Sequence, residues 1–515
     1  MPRKRIVEEV NDVQGRPGRT WYLPHHTVLR EDKSSTKCRI VFDGSAQFRN
    51  DSLNRQLDPG PPLQKDLVQI LLRFRRFRVG LQADISKMFL QIGLHEKDRD
   101  VTRFLWRELG SQETPRIFRF RRVCFGLTCS PFLAMSVTRH HALNHLQGFP
   151  QGANQVLENM YVDDIVFSVD EDDVARETVR QLVSLMKKGG FHLTKWVSNL
   201  GTVLADVPSE DILGKNTNTS KILGIVWDSA NDELAYSALS DVDPWSRDTK
   251  RQLISVTAKV YDPLGHLSPY IIKAKKLWKK GLNWDDELPS ELQKEWQTWK
   301  MELGDISDIR IPRCLIPFHG STIKKVELHA FGDASETAYE AVVYVVVKKK
   351  DHSSISNVVM AKSRVAPLKK MTLPCLELMA AKLITFDRQI DLLDGQQDYF
   401  MLDKRHIKKM ETLYPKPSRE YSTVNGTVSM EALSTNSNLE ILTPYHFLTG
   451  THYTDIPEIT KDEDEWVPKT QSTSQLMKNC NLRQRLISQW WKRWKAEYVT
   501  NLNIRQKWYN SGNAP

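Results

Sequence analysis

Apolar and polar positions change period several times along this chain, and the changes mark its elements. Leu67, Ile70, Leu71 and Phe74 recur at helical spacing and predict a helix over about 63–77. Before it, short apolar runs at 21–23 and 38–42 read as the two strands of a hairpin, and Asp58-Pro59-Gly60-Pro61-Pro62 reads as a stiff linker. Val79-Gly80-Leu81-Gln82-Ala83 predicts a strand ending in Asp84. The β-forming stretch 156–168 has two adjacent acids within it, Asp163 and Asp164, and predicts a hairpin with those acids at its tip. Ala175, Val179, Leu182, Val183 and Met186 then share one helical face, and Gly189-Gly190 ends that helix. Strand, helix, paired strands and helix in this order suggest a split βαβ layout with the acids on an exposed sheet face.

The second half is patterned as clearly up to about residue 390. A short strand is predicted at 223–228. Ser268-Pro269 opens a helix expected to reach Lys280, with Gly281 ending it. Ser290 and Gln293 have the spacing of a capping box, and Leu292, Trp296, Trp299 and Leu303 form a stripe that suits a core rather than a ligand site. Val326, Leu328 and Ala330 alternate toward Gly332-Asp333-Ala334-Ser335; strands at 341–347 and 358–363 follow, then a helix opening near Leu376-Glu377-Leu378. After Lys382-Leu383, no apolar strand ending in an acid is expected, and the acids at 387–394 read as a solvated helix or loop. Residues 394–435 have no strong period and read as linker, while Leu486, Trp490, Trp491 and Trp494 lie on a basic aromatic helix over 482–494.

The acid pair carries the chemistry. Two adjacent carboxylates cannot sit mid-strand without one pointing into the core; at a turn they are free to hold a divalent cation. Tyr161-Val162-Asp163-Asp164 alone is equally well a surface turn. With Asp84 at the end of another strand, three hard oxygen donors suit Mg²⁺, and two such ions can clamp the attacking and leaving oxygens of a phosphoryl transfer.

Tyr161-Val162-Asp163-Asp164, preceded by Asp84 and by Phe125-Gly126-Leu127 with Ser130-Pro131, resembles the reverse transcriptase of an LTR retrotransposon. Tyr22-Leu23-Pro24-His25-His26, Arg39-Ile40-Val41-Phe42-Asp43, Gln82-Ala83-Asp84-Ile85 and Tyr261-Asp262-Pro263-Leu264-Gly265 narrow the resemblance to the Pao/BEL family, over about 15–390 and again near the C-terminus. The resemblance implies that Asp84, Asp163 and Asp164 ligate the metals. It implies a nucleotide pocket floored by Phe125 and Gly126, where glycine permits close approach, with Ser130 as N-cap and Pro131 opening a helix. Phe89, five residues after Asp84, matches the family's aromatic gate, or is simply a core Phe. Lys37 and Arg39 match a basic pair that grips the triphosphate, and Lys187 or Lys188 lies where the family has a lysine near the departing pyrophosphate. Residues 223–228 resemble the primer grip, and the helices after them a thumb and connection.

Asp333 and Glu377 match two metal-binding acids of an RNase H domain. Such a fold needs further carboxylates, so the domain is expected to be amputated and its RNA cleavage lost. Leu442-Thr443-Pro444-Tyr445-His446-Phe447-Leu448-Thr449-Gly450 resembles a segment downstream of the integrase in these polyproteins, whereas the integrase core itself is missing.

Charge agrees with a polyanionic partner. Lys and Arg total 73 against 63 acids in 515 residues, a formal net charge of +10. The runs Arg73-Phe74-Arg75-Arg76-Phe77-Arg78 and Arg116-Ile117-Phe118-Arg119-Phe120-Arg121-Arg122 read as strands with a buried Phe face and a wet cationic face that meets nucleic acid. Six cysteines include no Cys-x-x-Cys pair, so neither a zinc ribbon nor a disulfide framework is indicated. His141 and His145, four apart, are expected to face solvent or template. The basic N-terminus is not followed by an apolar stretch, and no run is long enough to span a membrane, so the expectation is a soluble intracellular protein.

The expected architecture is α+β, a right-hand polymerase. It comprises an N-terminal fingers segment (1–62), palm and fingers (63–210), thumb and connection (211–310), a partial RNase H-like domain (311–393), a linker (394–435) and a post-integrase-like fragment (436–515). The expected activity is RNA-directed DNA synthesis with two Mg²⁺ or Mn²⁺ ions, on an RNA or DNA template with primer and dNTPs. The alternative is an inactive nucleic-acid-binding remnant. The pattern leaves oligomeric state open.

Overall fold

A computed structural model describes residues 6–29, 38–108, 110, 112–213, 219–237, 239, 241–279 and 281–386, together with residue pairs 398–399, 423–424 and 427–428. Lys37, most of 394–435, and the segments 442–450 and 482–494 lie outside the described residues. The chain divides into two units: Met1–Ala238 with Asp305–Ile323 and Gln389–Asp394, and Leu239–Gly304 with Lys324–Arg388 and Gly395–Pro515.

At the centre of the first unit is a four-stranded antiparallel sheet in the order Met160–Tyr161, Asp164–Val169, Val79–Ile85, Leu193–Ser198. The Val79–Ile85 strand is buried at every position except Asp84, which explains its continuous apolar run. Helices Leu67–Arg76, Pro150–Asn159 and Asp172–Lys188 pack with this sheet, and Leu81, Ile165, Phe167, Leu182 and Trp196 form its core. A second, three-stranded sheet, Val7–Glu9, Arg116–Phe120 and Arg103–Trp106, adjoins an aromatic cluster of Phe42, Phe104 and Phe120. His25–Leu29 pairs with Cys38–Phe42 as a hairpin.

Several local expectations are corrected. The first helix begins at Leu67, because the Asp66 carboxylate accepts from the Gln69 amide and caps it there. Residues 21–23 are not the hairpin partner of 38–42; they lie along Arg103, with Leu23 N–H donating to Arg103 O at 2.7 Å. Val156 and Leu157 belong to the Pro150–Asn159 helix, opened by Pro150, so only Met160–Tyr161 form the incoming strand. Arg73, Arg75 and Arg76 end a helix rather than line a strand; Arg75 is wholly buried and donates to the carbonyls of Pro312 and Arg313. Ser130 is the first helical residue after Cys129, and its hydroxyl donates to Cys124 O. His141 is half-buried with Nε2 2.7 Å from Leu185 O, on its own unit's helix rather than on template.

The second unit contains helices Lys250–Lys259, Ser268–Trp278 and Ser290–Met301. Its sheet has the order Ser354–Val365, Ala338–Lys349, Ile323–Ala334, Asp398–Tyr399. The capping box is Thr249 with Gln252; Ser290 is already inside its helix, after Pro289. Trp296 and Trp299 are core, as expected, with Trp296 Nε1 donating to Asp248. The Tyr261-Asp262-Pro263-Leu264-Gly265 motif is a turn in which Asp262 accepts from the His266 and Leu267 amides. Gly265, at φ +73°, lies so close to Ala361 that a Cβ would overlap its carbonyl. The Asp398–Tyr399 strand pairs in parallel with Leu328 and His329, where none was expected. Helix Leu373–Phe386 packs on the Ala338–Lys349 strand.

Candidate active site

The central sheet brings the three predicted acids together. Asp84 is the register partner of Asp164, and Ile85 N–H donates to Asp163 O at 2.7 Å, so the two strands pair up to the acid turn. The turn needs Val162 at φ +55°, an unusual conformation for a β-branched residue, and it places Asp163 and Asp164 beside Asp84. Burial raises the Asp163 carboxyl above the usual range, and Asp84 raises it further; its own backbone amide and Lys195 oppose this. Asp164 is pushed up to about 7 by burial, then by Asp163 and Asp84, against Lys195 and the Gln82 amide.

Lys195 was not anticipated. Its Nζ lies 2.7 Å from Asp84 Oδ2. The register of its strand against Val79–Ile85 shifts between Gln82 and Asp84, and Lys195 itself has φ +54°, so a bulge aims the side chain at the acids. The available signal was weak: a lysine in an alternating Leu193-Thr194-Lys195-Trp196-Val197 strand. Lys187 and Lys188 are exposed at the end of the Asp172–Lys188 helix.

Three carboxylates are the donor set a hard divalent cation prefers. The upward shifts of Asp163 and Asp164 mark a site short of positive charge, and Lys195 already answers part of it. The acids therefore offer the donor chemistry of a divalent-ion site, although one oxygen from each does not lie within 4.8 Å of the other two. Among the described residues, the only three potential ligands with donor atoms all within 4.8 Å are Asp170, Glu171 and His319. That group is taken up internally: Asp170 Oδ2 accepts from Gly320 N–H, Asp170 Oδ1 is 3.5 Å from Arg78 Nε, and Glu171 lies 3.6 Å from His319.

Phe89 and Phe125 meet edge-to-face with ring centroids 5.2 Å apart. Phe89 is on the short helix Met88–Gln91, half-buried against the core, and Phe125 is substantially exposed. Gly126 has φ +88°, and a Cβ there would sit 2.0 Å from Phe42 O, so no side chain fits. Arg39 is exposed on the hairpin strand that ends in Phe42. In the second unit, burial and then Asp333 raise Glu377 to about 7, so these two acids also lie near each other.

Residues 36–216 match the family model for reverse transcriptase (RNA-dependent DNA polymerase), and residues 249–387 match that for the Pao retrotransposon-like RNaseH-like domain. Two stretches of the chain, in this order, are thus similar to a reverse transcriptase domain and to a Pao-type RNase H-like domain. The foamy viral protease-reverse transcriptase dRH in complex with double-stranded DNA superposes with a TM-score of 0.52 at 15% identity, over 81% of this chain and 63% of that one. The chain thus spans less than two thirds of that protein. Two further foamy viral protease-reverse transcriptase structures score 0.49 (with double-stranded DNA; 15% identity, 81% and 75% covered) and 0.46 (with an RNA/DNA hybrid; 14% identity, 90% and 54% covered). No curated protein matches. The shared fold is the right-hand polymerase, and Asp84, Asp163 and Asp164 fall within the matched reverse transcriptase domain. Reverse transcriptases generally use divalent metal ions. No helix among the described residues is long and apolar enough to cross a membrane.

Proposed function

We propose that the protein is an RNA-directed DNA polymerase of a Pao-type retrotransposon, with Asp84, Asp163 and Asp164 as ligands of two Mg²⁺ or Mn²⁺ ions. The observation that carries the proposal is the pairing of Asp84 opposite Asp164, with Asp163 in the adjoining turn. When bound, such ions lower the pKa of a primer 3′-hydroxyl and neutralise a dNTP triphosphate. The chain's own residues supply placement. Phe125 and Gly126 floor the nucleotide, Phe89 closes the space beside its ribose, and Arg39, with Lys37, holds phosphate oxygens. Lys187 or Lys188 is assigned to the departing pyrophosphate.

The substrate is a primed RNA or DNA template, supported by the +10 charge and by the DNA complex of the similar foamy viral protein. The proposed organisation keeps fingers at 1–62, palm and fingers at 63–210, thumb and connection at 211–310, a partial RNase H-like domain at 311–393, a linker at 394–435 and a post-integrase-like fragment at 436–515. Asp333 and Glu377 are residual RNase H acids, and RNA cleavage is proposed to be lost. Described cysteines that are all free thiols support an intracellular setting.

The test is primer extension by the purified protein on an RNA template with dNTPs and Mg²⁺ or Mn²⁺. Extension is expected, and Asp163→Asn is expected to slow it by about a hundredfold or more. No extension, or extension indifferent to Asp163→Asn, overturns the assignment.

A further inference from the structure

We infer that Asn54 is the positioning residue of the nucleotide-pocket floor, locking the Phe125–Gly126–Thr128 loop through both ends of its side-chain amide. The inference rests on the polymerase assignment for the meaning of the pocket, and on geometry for the lock. Asn54 lies on the four-residue helix Leu53–Gln56, far in sequence from the loop. Its Nδ2 donates to Gly126 O at 3.0 Å and to Ser45 Oγ at 2.8 Å, and its Oδ1 accepts from Thr128 N–H at 3.0 Å. Its backbone N–H donates to Gly44 O at 2.8 Å.

The contacts around it leave little slack. A Cβ on Gly44 would lie 2.7 Å from Gly126 O and 2.8 Å from Asn54 Oδ1. A Cβ on Gly126 would overlap Phe42 O. Two glycines therefore let the loops of residues 42–45 and 125–128 touch backbone to backbone, and Asn54 joins them. Phe125 is next to the locked peptide and stands exposed against Phe89. A planar amide with a donor and an acceptor end satisfies a carbonyl and an N–H two residues apart, which neither Ala nor Asp reproduces. Loss of the lock frees Phe125 to shift relative to Phe89, where a displacement of about 1 Å is enough to spoil reacting geometry.

Wild type, Asn54→Ala and Asn54→Asp are compared by primer extension over a range of dNTP and rNTP concentrations, alongside thermal unfolding. Expected is a rise in KM for dNTP of about tenfold, with kcat within about threefold and weaker discrimination against rNTP. Asn54→Asp keeps the acceptor for Thr128, so it serves if the Ala variant does not fold. Hydrogen exchange supplies a readout independent of turnover: amides of residues 125–130 are expected to exchange about tenfold faster in the variants, with those of Val79–Ile85 unchanged. A fall in melting temperature with KM, discrimination and loop exchange unaltered makes Asn54 merely structural and overturns the inference. Absence of extension by the wild type instead overturns the polymerase assignment, which separates the two failures.

Discussion

Lys195 shows how one side chain balances the acid site. Its ammonium sits on Asp84 and opposes the upward pKa shifts of Asp163 and Asp164. A divalent ion at the same acids competes with it for the Asp84 carboxylate. Lys195→Met removes the competitor and leaves three crowded carboxylates, so the variant without metal is expected to melt lower than wild type. Its stabilisation by Mg²⁺ is expected to be larger and to begin at concentrations lower by about threefold or more, because a ligand that binds only the folded state raises stability in proportion to the logarithm of its concentration over Kd. Melting curves across a Mg²⁺ series decide it; equal onset in the two proteins removes Lys195 from the charge balance. Gly126 gives a second prediction at this scale. Gly126→Ala combines a positive φ with a Cβ inside contact distance of Phe42 O, and a cost of about 1–3 kcal/mol or more is expected in urea unfolding, along with a raised KM for dNTP. A variant with wild-type stability removes the claim of a closed contact.

At the scale of elements, the three-stranded sheet next to the hairpin is held by a charged network. Asp100 accepts from Arg103 Nε and Nη2 and from Arg119 Nη1 at 2.9–3.0 Å, and Arg119 Nε also donates to Glu8. Burial works against both carboxylates, yet Arg119 with Arg103 holds Asp100, and Arg119 with Arg99 holds Glu8, below their ordinary values of 3.8 and 4.5. A depressed carboxyl stabilises the fold above its unfolded pKa, and the contribution fades as pH falls through the folded one. Stability is therefore expected to decline from about pH 4.5 downward. Asp100→Asn, by leaving Arg103 buried with a poorer partner, is expected to cost about 3–5 kcal/mol at pH 7, with the gap to wild type narrowing toward pH 3. A gap constant with pH contradicts this account. Element by element, the sequence was legible where period and chemistry agreed. The Asp84 strand, the acid turn and the Asp172–Lys188 helix could all be read from it. It was misread where two periods overlap: Val156 and Leu157 fit a strand or a helix, and tertiary packing on Asp172–Lys188 chose the helix. Ser290 and Gln293 matched a capping pattern whose register was one residue off. Lys195 and Asn54 were invisible because their roles depend on a bulge and on a loop distant in sequence, neither of which local pattern encodes.

On the scale of the whole molecule, the chain leaves its first unit after Ala238 and re-enters it at Asp305–Ile323. The returning segment brings Arg310–Pro312 as an edge strand beside Glu233–Ala235, and then Arg313, which is wholly buried. Arg313 donates to Phe74 O, Phe77 O and Arg78 O at 2.6–2.8 Å and forms a bidentate pair with Asp232. Gly80, whose Cβ would lie 2.9 Å from the guanidinium, leaves room for it on the palm strand. One side chain from the far end of the unit thus satisfies the carbonyls where helix Leu67–Arg76 turns into strand Val79–Ile85. Arg313→Met retains volume but takes a donor from three carbonyls and leaves Asp232 with Trp227 Nε1 in place of its charged partner, so a loss of about 3–5 kcal/mol is expected in denaturant unfolding. Arg313→Lys keeps the charge without the planar fork, and is expected to recover only part of that loss. Asp84 lies at the opposite end of the strand, so extension per folded molecule is expected to stay within about threefold of wild type well below the melting temperature. A destabilisation under about 1 kcal/mol shows instead that the Arg313 side chain does not anchor the returning segment.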